Sequence, residues 1–227
     1  MCLRVSRLEF RRLIHMAPRA ILVGLLFHLA TAMPGAASAQ PLKILALGDS
    51  LTAGYGLPDD EGFTAQLGRA LKDAGIDARI INGGASGDTA AGGLARLDWV
   101  LADDPAVVIV ELGGNDALRG LDPTATKASL DAILTRLLQQ HRAILLAGMQ
   151  APPNMGSEYA TTFNAIYPDL ARQHGVTLYP FFLDGVAGNP SLLQPDGIHP
   201  TAEGVAIIVR RILPSLQQAI DQARNTD

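Results

Sequence analysis

Short apolar runs alternate with longer amphipathic segments along most of this chain. Five runs rich in Val, Ile, Leu and Ala have the length of β-strands, at residues 43–47, 78–82, 107–110, 143–147 and 176–181. Helices are predicted between and after these runs, at residues 63–74, 88–102, 123–140, 158–173 and 201–213. Pro168 predicts a bend in the fourth helix, and Pro214 predicts a break after the fifth.

Continuous apolar strands separated by helices are typical of a parallel sheet that helices cover on both faces. The pattern predicts a single α/β domain over residues 40–227, with three layers (α/β/α) around a parallel five-stranded sheet. No linker, internal repeat or change of composition divides this region. Ligands bind outside the carboxyl ends of the strands in such sheets, so we expect functional residues in the loops that follow them.

The first 39 residues have the organisation of a secretory signal peptide. Five arginines precede an apolar run at residues 20–33, and Pro-Gly-Ala-Ala-Ser-Ala follows at residues 34–39. This order predicts cleavage after Ala39 and a periplasmic or secreted protein. The apolar run is shorter than the roughly 20 residues of a membrane span, and an uncleaved N-terminal anchor is the alternative. Translation from either Met1 or Met16 agrees with the pattern.

Composition and charge exclude several classes of function. Hydrophobic residues make up 48% of the chain and charged residues 18%, which is typical of a folded domain and not of a disordered one. A formal charge of −4 gives no basic surface for nucleic acid. Cys2 is the only cysteine, so we expect no intrachain disulfide and no cysteine zinc cluster. Cleavage leaves three scattered histidines, and we expect no metal site.

Two loops carry the residue types of nucleophilic catalysis. Gly-Asp-Ser-Leu at residues 48–51 follows the first predicted strand, and Asp-Gly-Ile-His-Pro at residues 196–200 precedes the last predicted helix. A serine hydroxyl needs a base within hydrogen-bond reach, and His199 is a suitable base for Ser50. Asp196 can reach the imidazole across a tight turn, fix its tautomer and stabilise its protonated form. These three are the candidate catalytic residues.

Two further loops offer hydrogen-bond donors. Residues 82–89 are rich in glycine and follow the second strand, and Gly-Gly-Asn-Asp at residues 113–116 follows the third. Acyl transfer needs donors aimed at the oxygen that becomes negative in the transition state. The backbone N–H groups of Ser50 and Gly87 and the side-chain amide of Asn115 are the candidate oxyanion hole.

These four blocks, in this order and spacing, resemble those of the GDSL or SGNH hydrolases. The resemblance extends from about Lys43 to about Gly204 and is closest to the bacterial periplasmic arylesterase, acyl-CoA thioesterase and lysophospholipase subgroup. It implies a flavodoxin-like fold, no cofactor and a monomer. It also implies that Ser50 is the nucleophile of a triad with Asp196 and His199, that Gly87 and Asn115 are oxyanion donors, and that the substrate is a small-molecule acyl ester or thioester.

Apolar loop residues indicate what kind of acyl group would bind. We expect Ala117, Leu118, Pro152, Met155 and Ile198 to line the substrate site. An apolar groove favours a fatty acyl chain, since each buried CH₂ contributes roughly 0.8 kcal/mol. A carbohydrate O-acetylesterase of the same family is the alternative enzyme, although sugar recognition usually needs exposed aromatic side chains and polar loops.

A nucleotide- or flavin-binding module of the same topology is the alternative outside the enzymes. Gly83, Gly84 and Gly87 follow a strand, but their spacing matches neither common phosphate-binding loop and no basic residue accompanies them. The remaining polar and aromatic residues near the motifs are expected to be structural. We expect Asp49, Asp116 and Asp88 to bond nearby backbone N–H groups, and Trp99 to lie in the core; His141 and His174 are expected to be solvated.

Overall fold

Five parallel strands form the centre of the fold. The computed structural model describes residues 40–225, and its strands are β1 (Leu42–Gly48), β2 (Ala78–Gly84), β3 (Val107–Glu111), β4 (Ala143–Ala147) and β5 (Thr177–Tyr179). They lie in the order β2-β1-β3-β4-β5. This is the order of flavodoxin-like doubly wound sheets, so the predicted fold class is confirmed. The predicted signal peptide lies outside the described residues.

Helices cover both faces of this sheet. They are α1 (Ser50–Ala53), α2 (Phe63–Asp73), α3 (Ala90–Ala95), α4 (Leu97–Val100), α5 (Gly114–Leu118), α6 (Pro123–Gln139), α7 (Ser157–Asn164), α8 (Ile166–His174) and α9 (Ala202–Arg224). Helices α2 and α9 pack together on one face, and α3, α6 and α8 pack on the other. The side chains of the central strands are buried between these two layers.

The register of the central strands brings three loops to one edge of the sheet. Gly48, the last residue of β1, pairs with Gly84 of β2 and with Glu111 of β3. The chain turns away from the sheet directly after each of these residues. The serine, glycine and asparagine loops of the sequence motifs therefore begin side by side, at the carboxyl ends of their strands.

The final helix is longer than the sequence pattern predicts. Pro214 lies inside α9, which continues to Arg224, so the predicted break after Leu213 is wrong. A proline inside a helix costs about 3 kcal/mol, but the apolar stripe continues beyond it with Leu216 and Ile220 fully buried. Packing against α2 and the sheet offsets the lost hydrogen bond. Within residues 40–225, no helix combines the length and the apolar character needed to cross a bilayer.

Two other predicted helices are interrupted. The fifth strand is also shorter than the predicted 176–181, since β5 spans only Thr177–Tyr179. The segment 88–102 forms α3, α4 and a 3₁₀ turn, and the first break is at Arg96, whose backbone leaves the helical conformation. The segment 158–173 divides at Ala165, before the proline expected to bend it.

Trp99 is 78% exposed, so its predicted place in the core is wrong.

Candidate active site

Ser50 begins the short helix that follows β1. The side chain of Asp49 caps this helix by accepting a hydrogen bond from the N–H of Leu51 at 2.9 Å. Gly54 ends the helix with a positive φ of 82°, which glycine adopts without steric cost. The tight strand-to-helix turn places the serine hydroxyl at the sheet edge, where it lines a cavity.

The three candidate catalytic residues lie in one line. Nε2 of His199 is 2.9 Å from Oγ of Ser50, although 149 residues separate them in the chain. Nδ1 of the same imidazole is 2.7 Å from Oδ2 of Asp196. The other carboxylate oxygen accepts the backbone N–H groups of His199 and Ile198 at 3.0 and 2.9 Å. These N–H groups, that of His199 first, lower the pKa of Asp196 to about 2, so the carboxylate is ionised at neutral pH.

The loop that carries His199 is closed upon itself. Leu193 and Pro200 form an antiparallel bridge, and the N–H of Gln194 donates to the carbonyl of His199 at 2.7 Å. The side-chain amide of Gln194 donates to the carbonyls of Tyr55 and Pro200 at 2.8 and 3.0 Å. This loop is therefore tied to the segment that follows the nucleophile helix. The sequence motifs gave no signal for Gln194 or Tyr55.

The candidate oxyanion donors surround the serine. Ser50, Gly87 and Asn115 line the same cavity. Among the hydrogen bonds of residues 40–225, neither the N–H of Ser50 nor that of Gly87 donates to a protein acceptor. The Asn115 amide donates to Oδ2 of Asp49 and to the carbonyl of Asp88, both at 2.9 Å. The two backbone groups are thus available to a ligand, and the amide is held in place by two acceptors.

The glycine loop is attached to the helix that follows β3. Arg119 donates to the carbonyl of Gly87 at 2.9 Å, and Gly87 has a positive φ of 85°. The carboxylate of Asp88 pairs with Arg96 at 2.6 Å, and the same guanidinium donates to the carbonyl of Gly48 at 2.9 Å. The expected bond from Asp88 to a backbone N–H is therefore wrong, because the carboxylate accepts from the guanidinium of Arg96, eight residues further along the chain.

Two buried carboxyl groups lie beneath the nucleophile. Burial is the largest cause that raises the pKa of Asp49 to about 6, against the lowering effect of the Leu51 N–H and the Asn115 amide. Burial and the nearby Asp49 charge raise the pKa of Glu111 well above its usual range.

The structural interpretation of Asp49 and Asp116 is confirmed, since Asp49 accepts the N–H of Leu51 and Asp116 accepts the N–H of Ala90, both at 2.9 Å. Glu111 was missed, although a charged residue at the end of an apolar strand is a visible signal.

The cavity beside Ser50 has a volume of about 850 Å³ and is mainly apolar. Leu118, Pro152 and Ile198 line it as predicted from their loops. Ala117 does not, because its side chain is buried on the core side of α5. Met155 does not either, since its terminal methyl group lies against Gly120. Further apolar lining residues were missed by the sequence analysis: Tyr55, Phe181, Leu183 and Leu193.

The remaining histidines lie outside this constellation. His141 is exposed, and His174 is partly buried with Nε2 2.7 Å from Asp131, so the prediction that both are solvated is wrong for His174. In the part of the chain that the structure describes, no group of three or more His, Cys, Asp or Glu side chains is arranged to hold a metal ion.

Hydrolases that act through a serine hydroxyl share this alignment of hydroxyl, imidazole and carboxylate beside free N–H donors. The fold and the site together place the protein in the class of serine hydrolases. A comparison with protein families is more specific, because residues 46–207 match the GDSL-like Lipase/Acylhydrolase family. The chain belongs to this family, as the resemblance of the four sequence blocks predicted.

Relatives with assigned names agree with this membership. The chain is 42% identical to esterase TesA of Pseudomonas aeruginosa, over 80% of this chain and 90% of that protein. It is 38% identical to thioesterase 1/protease 1/lysophospholipase L1 of Escherichia coli K12, over 82% of this chain and 88% of that protein. The crystal structure of AlinE4, an SGNH-hydrolase family esterase, matches with a TM-score of 0.68 and 49% identity, covering 79% of this chain and 97% of AlinE4.

Proposed function

We propose that the protein hydrolyses carboxylic esters and thioesters of acyl groups through an acyl-enzyme at Ser50. The observation that carries this proposal is the line of atoms from Ser50 through His199 to Asp196, at 2.9 and 2.7 Å, on the wall of an apolar cavity. The relatives named as esterase and as thioesterase and lysophospholipase support an activity of arylesterase, acyl-CoA thioesterase or lysophospholipase type.

Acylation begins when Oγ of Ser50 attacks the acyl carbonyl carbon while Nε2 of His199 takes the hydroxyl proton. Asp196 remains ionised, orients the imidazole and stabilises the imidazolium. The tetrahedral intermediate then collapses, and His199 gives its proton to the leaving alcohol or thiol. In the second half-reaction, His199 takes a proton from water as the water attacks the acyl-enzyme. The imidazolium returns that proton to Ser50 as the acid departs.

The negative oxygen of each tetrahedral intermediate would bind the N–H groups of Ser50 and Gly87 and the amide of Asn115. Both backbone groups lack protein acceptors among the described residues, which suits them to receive a ligand oxygen. The amide hydrogen that faces this oxygen would leave one of its two present acceptors, Asp49 or Asp88. The two backbone donors are oriented before the reaction, so they stabilise the developing charge at little reorganisation cost.

The apolar part of the cavity would bind the acyl chain. Leu118 and Ile198 are 51% and 42% exposed, and Phe181 and Leu183 line the cavity with them. Covering such surfaces with methylene groups stabilises the complex by roughly 0.8 kcal/mol per buried CH₂. This supports acyl chains longer than acetate and argues against the carbohydrate O-acetylesterase, whose sugar group has less apolar surface to bury.

A panel of substrates tests the proposal. Hydrolysis of p-nitrophenyl esters from two to sixteen carbons, of acyl-CoA and of lysophosphatidylcholine would be compared with deacetylation of an acetylated xylose oligomer. We expect kcat/KM to rise from acetate toward medium-length chains and to include the thioester. Activity confined to the acetylated sugar would favour the alternative enzyme, and inactivity on every ester would contradict the proposal.

We also propose that the protein works as a monomer in the periplasm or outside the cell. The support for the location is the basic and apolar segment that ends in Ala-Ser-Ala at residues 37–39, and the monomer rests on the resemblance to the GDSL hydrolases. Expression of the full chain, cell fractionation and N-terminal sequencing of the product test the location. A mature N-terminus at Gln40 in the periplasmic fraction is expected, and an intact leader in the membrane fraction would favour the uncleaved anchor. Light scattering of the purified protein tests the monomer.

A further inference from the structure

A buried carboxyl group lies beneath the nucleophile and takes no part in the steps above. Glu111 is the last residue of β3, and its side chain is completely buried. Its Oε2 accepts the hydroxyl of Thr52 at 2.7 Å and the backbone N–H of Asp49 at 3.3 Å. Its Oε1 has no hydrogen-bond partner among residues 40–225. Both donors belong to the turn that presents Ser50.

The carboxyl group is packed tightly against this turn. A Cβ at Gly48 would lie 2.1 Å from Oγ1 of Thr52 and 2.5 Å from Oε2 of Glu111, so no other residue fits at that position. Thr52 is itself completely buried. Because the interior is close-packed, a change in the side chain at Glu111 is transmitted to the turn.

The same turn is connected to the candidate oxyanion amide. Asp49 receives the N–H of Leu51 on Oδ1 and the Asn115 amide on Oδ2, each at 2.9 Å. A continuous set of hydrogen bonds therefore leads from Glu111 through the Asp49 peptide and side chain to Asn115. It joins the end of β3 to both groups that must meet the acyl carbonyl, the serine hydroxyl and the amide.

A carboxyl group at this position is costly for folding. The other residues of β3 are Val107, Val108, Ile109 and Val110, all buried, and an apolar residue after them would need no polar partners. A buried polar group with an unpaired oxygen destabilises a core. Among residues 40–225 no cation donates to Glu111, and the guanidinium of Arg96 donates instead to Asp88 and to the carbonyl of Gly48. Its placement is thus explained by the turn it holds and not by an ion pair.

We propose that Glu111 is a positioning residue for acyl transfer, which holds the Asp49 peptide and the Thr52 hydroxyl so that Ser50 and Asn115 face the same carbonyl. The inference rests on the proposed function and adds to it a residue that positions the catalytic groups. Glu111 contacts neither the substrate cavity nor the reacting atoms. It acts only through the turn, and its removal should affect the chemical step more than substrate binding.

The test compares two replacements of Glu111 by steady-state kinetics on one p-nitrophenyl ester, well below the melting temperature of each variant. Glu111→Gln keeps an oxygen acceptor for both donors and should retain most of kcat. Glu111→Leu removes the acceptor and should lower kcat by about 10-fold to about 100-fold with KM nearly unchanged, since small misplacements of reacting groups have effects of that size. Thr52→Val removes one donor and should give a smaller loss of kcat.

Thr177→Val is the matched control. Thr177 is also a buried threonine that donates to a side chain, Gln222 at 3.2 Å, but it lies on β5, two strands away from Glu111, and does not line the cavity. This variant should lower the melting temperature without lowering kcat. A folded Glu111→Leu protein with the kcat of the wild type would overturn the inference. If that protein fails to fold, Thr52→Val decides, and an unchanged kcat there has the same meaning.

The outcomes separate this inference from the proposed function. A wild-type protein that hydrolyses no acyl ester, or a Ser50→Ala variant that remains active, contradicts the proposed function and leaves Glu111 without a reaction to support. An active wild type, an inactive Ser50→Ala variant and equal kcat values for Glu111→Gln and Glu111→Leu contradict only the positioning role.

Discussion

The ring of Tyr55 lies against the imidazole of His199, with centroids 4.4 Å apart and planes tilted by 36°. Tyr55 also lines the cavity and is 53% exposed. Its carbonyl is bonded to Gln194, in the loop that carries the histidine. The face of an aromatic ring attracts a cation, so this contact should stabilise the imidazolium that forms when Ser50 loses its proton.

Replacement of Tyr55 separates the effect of its ring from that of its hydroxyl. Tyr55→Ala should lower kcat/KM on a short ester by about 2-fold to about 5-fold, the size of an exposed cation–π contact. Tyr55→Phe retains the ring and should remain close to the wild type. Steady-state kinetics on p-nitrophenyl acetate measure both variants. Equal losses in the two would assign the effect to the hydroxyl and contradict the ring contact.

Replacement of Ser50 tests the nucleophile. Ser50→Ala should lower kcat by on the order of 10³-fold or more, because no other hydroxyl lies beside Nε2 of His199 in the described residues. An organophosphonate should label the wild type at one site and should not label this variant, as measured by intact-protein mass spectrometry. Ser129→Ala, on the exposed side of α6, is the control and should be labelled normally. Labelling of Ser50→Ala at full stoichiometry would refute the assignment.

Replacement of Asn115 tests the oxyanion hole. Asn115→Ala should lower kcat by about 10²-fold to about 10³-fold, the usual effect of removing one such donor. KM should change little, because the charge develops only in the transition state. Asn189→Ala, which removes the cap of an exposed 3₁₀ turn, is the control and should keep its kcat. A loss confined to KM would place Asn115 in ground-state binding instead.

The pH dependence of activity should reflect two groups. Protonated His199 cannot accept the Ser50 proton, and protonated Asp49, whose pKa is raised to about 6 mainly by burial, holds the Asn115 amide less strongly. Activity should therefore fall as the pH decreases through about 6, and the loss should be steeper than a histidine base alone would give. Asp49→Asn should be less active but should have a shallower acid limb in a kcat/KM profile. An identical steepness in this variant would exclude Asp49.

The pH dependence of stability should show that Glu111 holds a proton in the folded protein. In the folded protein the pKa of Glu111 is raised well above the ordinary value of 4.5, mainly by burial. As pH rises through 4.5, the unfolded chain loses this proton while the folded protein keeps it, so the free energy of unfolding decreases. Asp196, with its pKa lowered to about 2, contributes stability that is lost only below its usual value of 3.8.

Glu111→Gln has no proton to lose at this position. Its free energy of unfolding, relative to that of the wild type, should increase from pH 5 to pH 8 in urea titrations. Asp73→Asn is the control, because this carboxylate is exposed at the end of α2 and its side chain has no hydrogen-bond or ion-pair partner among residues 40–225, so its difference from the wild type should stay constant with pH. A difference between Glu111→Gln and wild type that stays constant with pH would mean that the buried carboxyl group does not hold a proton in the folded state.

Much of the fold and of the site could be predicted because the signals are local. The run from Val107 to Val110 is continuously apolar, and its length and bounding turns specify a buried strand. The residues Asp196 to His199 form one turn, so their side chains meet by virtue of chain geometry alone. Pro214 shows the limit of such reasoning. This proline predicts the end of a helix, but the helix continues because apolar side chains beyond it are buried.

The sequence by itself determined the alternation of strands and helices and the chemical identity of the motif residues, because periodicity and turn geometry act within a few residues. Only the tertiary structure decided that Ser50 and His199 meet and that Tyr55 covers the imidazole. It also decided that Glu111 lies beneath the turn and that Ala117 faces the core instead of the cavity. These relationships depend on the register of strands and the packing of side chains far apart in the chain, which no local pattern specifies.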